Sequence, residues 1–179
     1  MPVTRREWPE GRKMAAEIVK RHPEVFRNVP PLDDILFVLD EDAEPKSKGN
    51  CVMARVSKIA GKFLDFIDAG NKTWMLEWFS ANVGAMSIAK RYLLMAHELL
   101  HFEFDDEKGV HRLRGHDTEE FYLIGDRFGY HWIDETHGDV EDIMAPGFTW
   151  GRQVQATVEG MLGRNVVPLH PTGTEGKGA

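Results

Sequence analysis

The chain has 179 residues, of which 42% are apolar and 28% charged, a balance typical of a folded, water-soluble domain rather than a disordered or fibrous chain. Its net charge of −7 disfavours non-specific binding to phosphate backbones or anionic lipid, so a nucleic-acid partner is not expected. The single cysteine, Cys51, excludes an intramolecular disulfide and a cysteine-based zinc ribbon. Since no continuous apolar run of about 18 residues occurs, neither a signal peptide nor a membrane span is expected, and the cytoplasm is the predicted location.

The length predicts a single domain over residues 1–165, with residues 166–179 as a flexible tail. Apolar residues at helical spacing predict a helix from Pro9 to about Arg21. The apolar run from Ile35 to Leu39 predicts a strand, and a polar loop follows it. Apolar side chains then alternate in a second predicted strand, whose one face is formed by Trp74, Leu76 and Trp78.

The strongest chemical signal lies in a helix predicted from Ser87, a suitable N-cap, to about Phe104. This helix carries the motif HExxH, made of His97, Glu98 and His101. Because a helix turns once every 3.6 residues, both histidines share a face and can place ring nitrogens about 2 Å from one zinc ion. Glu98 lies beside the first ligand, where it can accept a proton from a metal-activated water, so it is the predicted general base. Burying these groups in an apolar helix costs several kcal/mol unless they are bonded or metallated, which favours a metal site.

Beyond this helix a polar loop leads to a second predicted helix. Asp117 and Glu120 have the spacing of a capping box, which places the start of that helix just after His116. Gly129 is suited to its end, because glycine readily adopts the conformation that terminates a helix. A further helical stretch is predicted from Arg152 to Leu162.

A catalytic zinc needs a third protein ligand and leaves one position for water. His116 is favoured because it follows His101 by 15 residues, at the mouth of the second helix, so a short loop can return its ring to the first helix. Three other residues remain open as the third ligand, namely His111, Glu119 and Glu120.

Peptide hydrolysis also calls for a donor that stabilises the oxyanion formed during attack. The sequence leaves several candidates for this donor unranked, and they are Arg114, His111, Tyr122, Tyr130 and His131. Asp117 and Glu120 are further candidates, for supporting a ligand histidine through a hydrogen bond.

The stretch HELLHFEFDDEKGVHRLRGHDTEEF resembles the active region of SprT-like zinc metallopeptidases, in which HExxH is followed, after a loop, by a Gly-His step that opens a helix. The pairing of AHELLHF with RGHDTEEF, with a later Phe-Gly before a Trp, resembles the putative phage metallopeptidase family still more closely. The resemblance extends over about Ser87 to Trp132, roughly a quarter of the chain.

This resemblance implies zinc held by His97, His101 and His116, with Glu98 as the catalytic residue. It implies a small α+β domain of the minimal-zincin type, with a short mixed or antiparallel sheet packed on the HExxH helix. The implied setting is a bacterial or phage-infected host cell. SprT-like proteins that act on DNA-crosslinked proteins usually add a zinc ribbon or a DNA-binding segment, and this acidic chain with one cysteine gives no reason to transfer that substrate.

The function expected from the sequence is therefore that of a zinc metallopeptidase that hydrolyses peptide bonds in a protein or peptide substrate. A second hypothesis is a noncatalytic zinc-binding module that uses the zincin fold to bind a protein or nucleic-acid partner. A third is a metallohydrolase that acts on a nonpeptide amide.

Overall fold

The computed structural model describes residues 5–41, 46–47, 50–60, 70, 72–117, 120–134 and 136–151. Its elements, in chain order, are β1 (Arg5–Glu7), α1 (Pro9–Arg21), a 3-10 turn (Leu32–Asp34), β2 (Ile35–Asp40), β3 (Lys46–Ser47), β4 (Asn50–Cys51), β5 (Ala54–Lys58), β6 (Trp74–Phe79), α2 (Ser80–Val83), α3 (Ile88–Leu100), β7 (Phe102–Asp105), β8 (Val110–Leu113) and α4 (Tyr122–Phe128). The fold is α+β, as predicted, and helix α1 has the predicted bounds.

The main sheet has four strands in the order β1, β2, β6, β5. The central strands β2 and β6 are parallel, with Ile35 opposite Trp74 and Asp40 opposite Phe79. The outer strands β1 and β5 are antiparallel to their neighbours, so the sheet is mixed. Of the two predicted alternatives, a mixed or an antiparallel sheet, the structure has the mixed one, with β5 as the edge strand nearest helix α3.

The two faces of the sheet bury different sets of side chains because successive residues of a strand point to opposite faces. On the helix-facing side lies the main core, which includes the predicted face of β6, Trp74, Leu76 and Trp78. The other face carries a smaller buried cluster of Leu36, Val38 and Ile59, against which Met75 packs. The alternation predicted for β6 is therefore confirmed, and it fixes the side of the sheet on which α3 packs.

Helix α3 begins where the sequence predicts, because the Ser87 hydroxyl accepts a hydrogen bond from the Lys90 amide at 3.2 Å. Its largely apolar surface is buried against α1 and β5. The predicted end at about Phe104 is wrong, since the helix stops at Leu100. The residues after it form β7, which pairs with β8 in a hairpin, so the segment predicted as a polar loop contains a strand.

The second predicted helix starts later than expected, at Tyr122 rather than just after His116. Asp117 still caps it, because its Oδ2 accepts a hydrogen bond from the Tyr122 amide at 2.9 Å. Glu120 does not complete the predicted capping box, because its carboxylate bonds to other partners. Gly129 ends the helix as predicted, with a φ of +83° that favours glycine.

The predicted helix from Arg152 to Leu162 and the predicted tail of residues 166–179 lie outside the described residues. Among the helices that the structure does describe, none is both long enough and apolar enough to cross a membrane.

Candidate metal centre

The C-terminal end of α3 presents the two motif histidines side by side. His97 lies in the last full turn and His101 is the C-cap residue, and their ring centroids are 5.2 Å apart. Glu98, between them in sequence, is only 4% exposed. Its carboxylate accepts a hydrogen bond from the backbone of Val56 on the edge strand β5, so helix and sheet meet at this residue.

The β7–β8 hairpin returns the chain to this helix end. The Arg114 amide, just after β8, donates to the His101 carbonyl at 2.8 Å, and His116 follows two residues later. The His116 ring centroid lies 4.8 Å from that of His97 and 5.0 Å from that of His101. Each of the three side chains offers a ligand atom, and these atoms all lie within 4.8 Å of one another.

Close contacts at the Nδ1 atoms set the orientation of the two motif rings. His101 Nδ1 lies 2.9 Å from the Arg114 carbonyl oxygen, which can only accept, so His101 Nδ1 carries the proton. His97 Nδ1 lies 2.7 Å from Glu120 Oε1 in a bent contact, and a carboxylate that close to a bare ring nitrogen would repel it. Both rings therefore hold hydrogen on Nδ1 and leave Nε2 free for a metal.

The distance between the free nitrogens suits a shared metal ion. His97 Nε2 and His116 Nε2 are 3.1 Å apart. Two nitrogens bound tetrahedrally at about 2.0–2.1 Å from zinc would be separated by about 3.3 Å. Two lone pairs facing each other at this distance repel unless a proton or a cation lies between them. His97 and His116 thus have the spacing of two ligands of one metal ion, and all three imidazoles are of a donor type that suits a divalent metal.

Glu120 lies beside the cluster and is not one of the three side chains whose ligand atoms converge. It is 5% exposed, and its Oε1 accepts from the Phe121 amide at 2.8 Å as well as facing His97. Its Oε2 accepts from the Trp132 indole nitrogen at 2.9 Å. Although burial raises the pKa of Glu120, its bonds with His97, Trp132 and Phe121 outweigh burial and lower it, so the carboxylate is ionised.

Phe121 forms the apolar floor of the cluster. Its side chain is fully buried, and its ring centroid lies 5.3, 4.9 and 5.0 Å from those of His97, His101 and His116. Each of the three contacts is edge-to-face, which is a favourable arrangement for aromatic rings. Phe121 belongs to the RGHDTEEF stretch that carries the family resemblance, but no spacing in the sequence predicts its contact with the three histidine rings.

The electrostatics differ between the three histidines. Burial lowers the pKa of His101 to about 4 and also lowers that of His116, so both are neutral at pH 7. Burial acts on His97 in the same direction, but Glu120 and Glu98 outweigh it and raise its pKa. A metal-free cluster can therefore hold one proton between His97 Nε2 and His116 Nε2, at the place where a cation would bind.

The pKa of Glu98 is shifted upward, because its carboxyl group is buried away from water. Burial raises its pKa to about 7, and the neighbouring His97 and the Val56 backbone bond only partly offset this. A bound dication would bring the pKa back down. The ionised form that a dication would favour is the one that can accept a proton.

The other predicted candidates lie around the cluster in different roles. The Arg114 side chain donates to the Leu100 carbonyl at 3.1 Å and to Asp117 Oδ1 at 3.2 Å, and its guanidinium stacks on the Phe121 ring. Arg114 thus closes the base of the hairpin, and its carbonyl holds His101. Asp117 bonds Arg114 and Tyr122, so the structure gives it a capping role and shows no bond from it to a ligand histidine.

The other candidates for the third ligand and the oxyanion donor lie on the hairpin and around helix α4. His111 lies on the hairpin against Phe104, with ring centroids 5.0 Å apart, and is not part of the cluster. His131 faces Asp134 at 3.6 Å. Tyr122 and Tyr130 are partly exposed near the start and the end of α4. Glu119 lies outside the described residues.

An HExxH helix joined by a third histidine on an α+β domain defines a class of metal-dependent hydrolases. The family model described as putative phage metallopeptidase matches residues 5–158, and the chain belongs to this family. The match confirms the resemblance to the phage metallopeptidase family and extends it across all of the described residues. It also implies a metal cofactor. No curated protein and no solved structure matches the chain.

Proposed function

We propose that the chain is a zinc-dependent peptidase in which His97, His101 and His116 hold the metal and Glu98 is the general base. The observation that carries this proposal is the convergence of three imidazoles, two of them locked with hydrogen on Nδ1 and Nε2 turned inward. An all-nitrogen donor set suits zinc far better than calcium or magnesium, which prefer oxygen ligands.

The residues of the chain have separate roles in the proposed reaction. Bound zinc lowers the pKa of a coordinated water toward about 7 and polarises a substrate carbonyl. Glu98, next to His97 and buried, accepts the proton of the attacking water and passes it to the leaving amine. Glu120 and the Arg114 carbonyl keep the two motif rings in position, so that no reorganisation is needed when a substrate arrives. The substrate in this proposal is a protein or a peptide.

Removal of the metal is the direct test of this proposal. We expect chelator-treated protein to lose hydrolysis of a disordered protein such as casein, and one equivalent of Zn²⁺ to restore it. An equal amount of Mg²⁺ serves as the control and should restore nothing, because three imidazoles are poor ligands for it. Product formation is measured by the release of amino groups, with circular dichroism to verify that the metal-free protein stays folded.

Two results would contradict the proposal in different ways. Hydrolysis that continues without metal would exclude a metal-dependent mechanism. Stoichiometric Zn²⁺ binding without turnover of any peptide library would favour the noncatalytic module instead.

A further inference from the structure

A buried line of polar contacts extends behind the three-histidine cluster and ends at Trp132. This tryptophan is 1% exposed and lies in the segment after α4. Its indole nitrogen donates to Glu120 Oε2 at 2.9 Å, while Glu120 Oε1 faces His97 Nδ1 at 2.7 Å. The three residues form a continuous line from the protein interior to a ligand of the proposed metal.

The geometry gives each oxygen of Glu120 its own partners. Oε1 is engaged by the Phe121 amide and by His97, and Oε2 is engaged by the indole. A carboxylate held by donors on both oxygens has one orientation. Without the indole N–H, Oε2 would remain buried and unpaired, and the carboxylate would gain by rotating away from His97.

Helix α3 also anchors the segment that carries Trp132. Lys90 is buried, and its ammonium group donates to the carbonyls of Asp134 and His137 at 3.1 and 3.0 Å. Lys90 lies seven residues, or about two turns, before His97 on the same helix. The tryptophan is therefore fixed relative to the helix whose histidine it acts on.

We propose that Trp132 is a positioning residue of the metal centre, which acts through Glu120 to hold the His97 ring in its metal-binding orientation. The inference rests on the proposed function, since it assigns a role toward the metal of that same site. It requires only that the site bind a metal and does not depend on which peptide is cleaved.

The test compares two buried tryptophans, Trp132, whose indole nitrogen donates a hydrogen bond to Glu120, and Trp150, whose indole nitrogen has no partner among the described residues. Trp132→Phe keeps an aromatic ring but removes the N–H donor. Trp150→Phe is the matched control, because Trp150 is also buried and its indole nitrogen has no hydrogen-bond partner among the described residues. The Kd for Zn²⁺ is measured by competition with a chromophoric chelator, and the visible absorption spectrum of the Co²⁺-loaded protein reports the ligand geometry.

We expect Trp132→Phe to weaken Zn²⁺ binding by about 10–100-fold, the range found when a partner of a ligand histidine is lost, and to change the Co²⁺ spectrum. Trp150→Phe should leave the Kd and the spectrum as in the wild type. Glu120→Gln should weaken binding as well. Because Trp132 acts only through Glu120, the double variant should bind no more weakly than Glu120→Gln alone.

Equal Zn²⁺ affinity and identical Co²⁺ spectra in the two tryptophan variants would overturn the inference while leaving the proposed function intact. Additive losses in the double variant would also overturn it, since they would indicate a general packing role. If Trp132→Phe does not fold, Glu120→Gln decides alone, and wild-type affinity in that variant would overturn the inference. Failure of the wild-type chain to bind Zn²⁺ would instead contradict the proposed function.

Discussion

Replacing Glu98 with glutamine is expected to lower kcat/KM for peptide hydrolysis by about 10²–10⁴-fold, the usual contribution of a general base. Glutamine has the same shape but cannot accept a proton from water. Its side-chain oxygen can still accept the hydrogen bond from the Val56 backbone, so the helix and the edge strand should stay in place. Removing a buried ionisable group should not lower the melting temperature, because burial already disfavours the charged form of Glu98.

The measurement pairs steady-state hydrolysis with Zn²⁺ titration of the same variant. Glu103→Gln is the matched control, since Glu103 is on the neighbouring strand β7 and pairs with Arg112 at the surface. An exposed ion pair of this kind contributes little, so this variant should behave as the wild type. Full activity in Glu98→Gln would exclude Glu98 as the base, and loss of Zn²⁺ from it would point to a structural role.

The second large effect is expected at the third ligand. His116→Ala should weaken Zn²⁺ binding by at least about a hundredfold, more than the 10–100-fold that follows loss of an outer partner, and should abolish hydrolysis. The His116 side chain is exposed, so its truncation should leave the fold intact. Isothermal titration with Zn²⁺ measures the loss, and circular dichroism verifies the fold.

His111→Ala provides the comparison, because the sequence leaves His111 open as a third ligand and it lies in the same hairpin region. The structure places it against Phe104, away from the cluster. We expect this variant to bind Zn²⁺ as the wild type does. A loss of affinity in His111→Ala, with none in His116→Ala, would reverse the assignment.

The features predicted correctly from the sequence depend on residues that are close together along the chain. The start of α3 depends on one hydroxyl group, Ser87, and on the residues that directly follow it. The end of α3 was misplaced because an apolar run fits a helix and a buried strand equally well. In HFEFD the aromatics also alternate with period two, and Gly109, with a φ of +63°, makes the turn that allows β7 to pair with β8.

The surroundings of the three-histidine cluster are less predictable. The sequence offers Glu120 in three roles, as part of a capping box, as a third ligand or as the support of a ligand histidine, and its neighbours in sequence do not choose among them. Its partners in the fold are His97, 23 residues earlier, and Trp132, 12 residues later. A short sequence pattern carries no information about such contacts. Phe121 is a similar case, since its contacts with the three histidine rings are visible only in the folded structure.

The segment between His101 and His116 can change in length without changing the geometry of the site, because it forms a hairpin. The two proposed ligands are joined at its base, where Phe102 pairs with Leu113 and the Arg114 amide donates a hydrogen bond to the His101 carbonyl. The tip, residues 106–109, is exposed. Doubling the length of a flexible loop adds only about 0.6 kcal/mol of closure entropy, so insertions at the tip should be tolerated without moving either histidine. The tip is thus the natural position for a tag, a fluorophore or an added recognition loop.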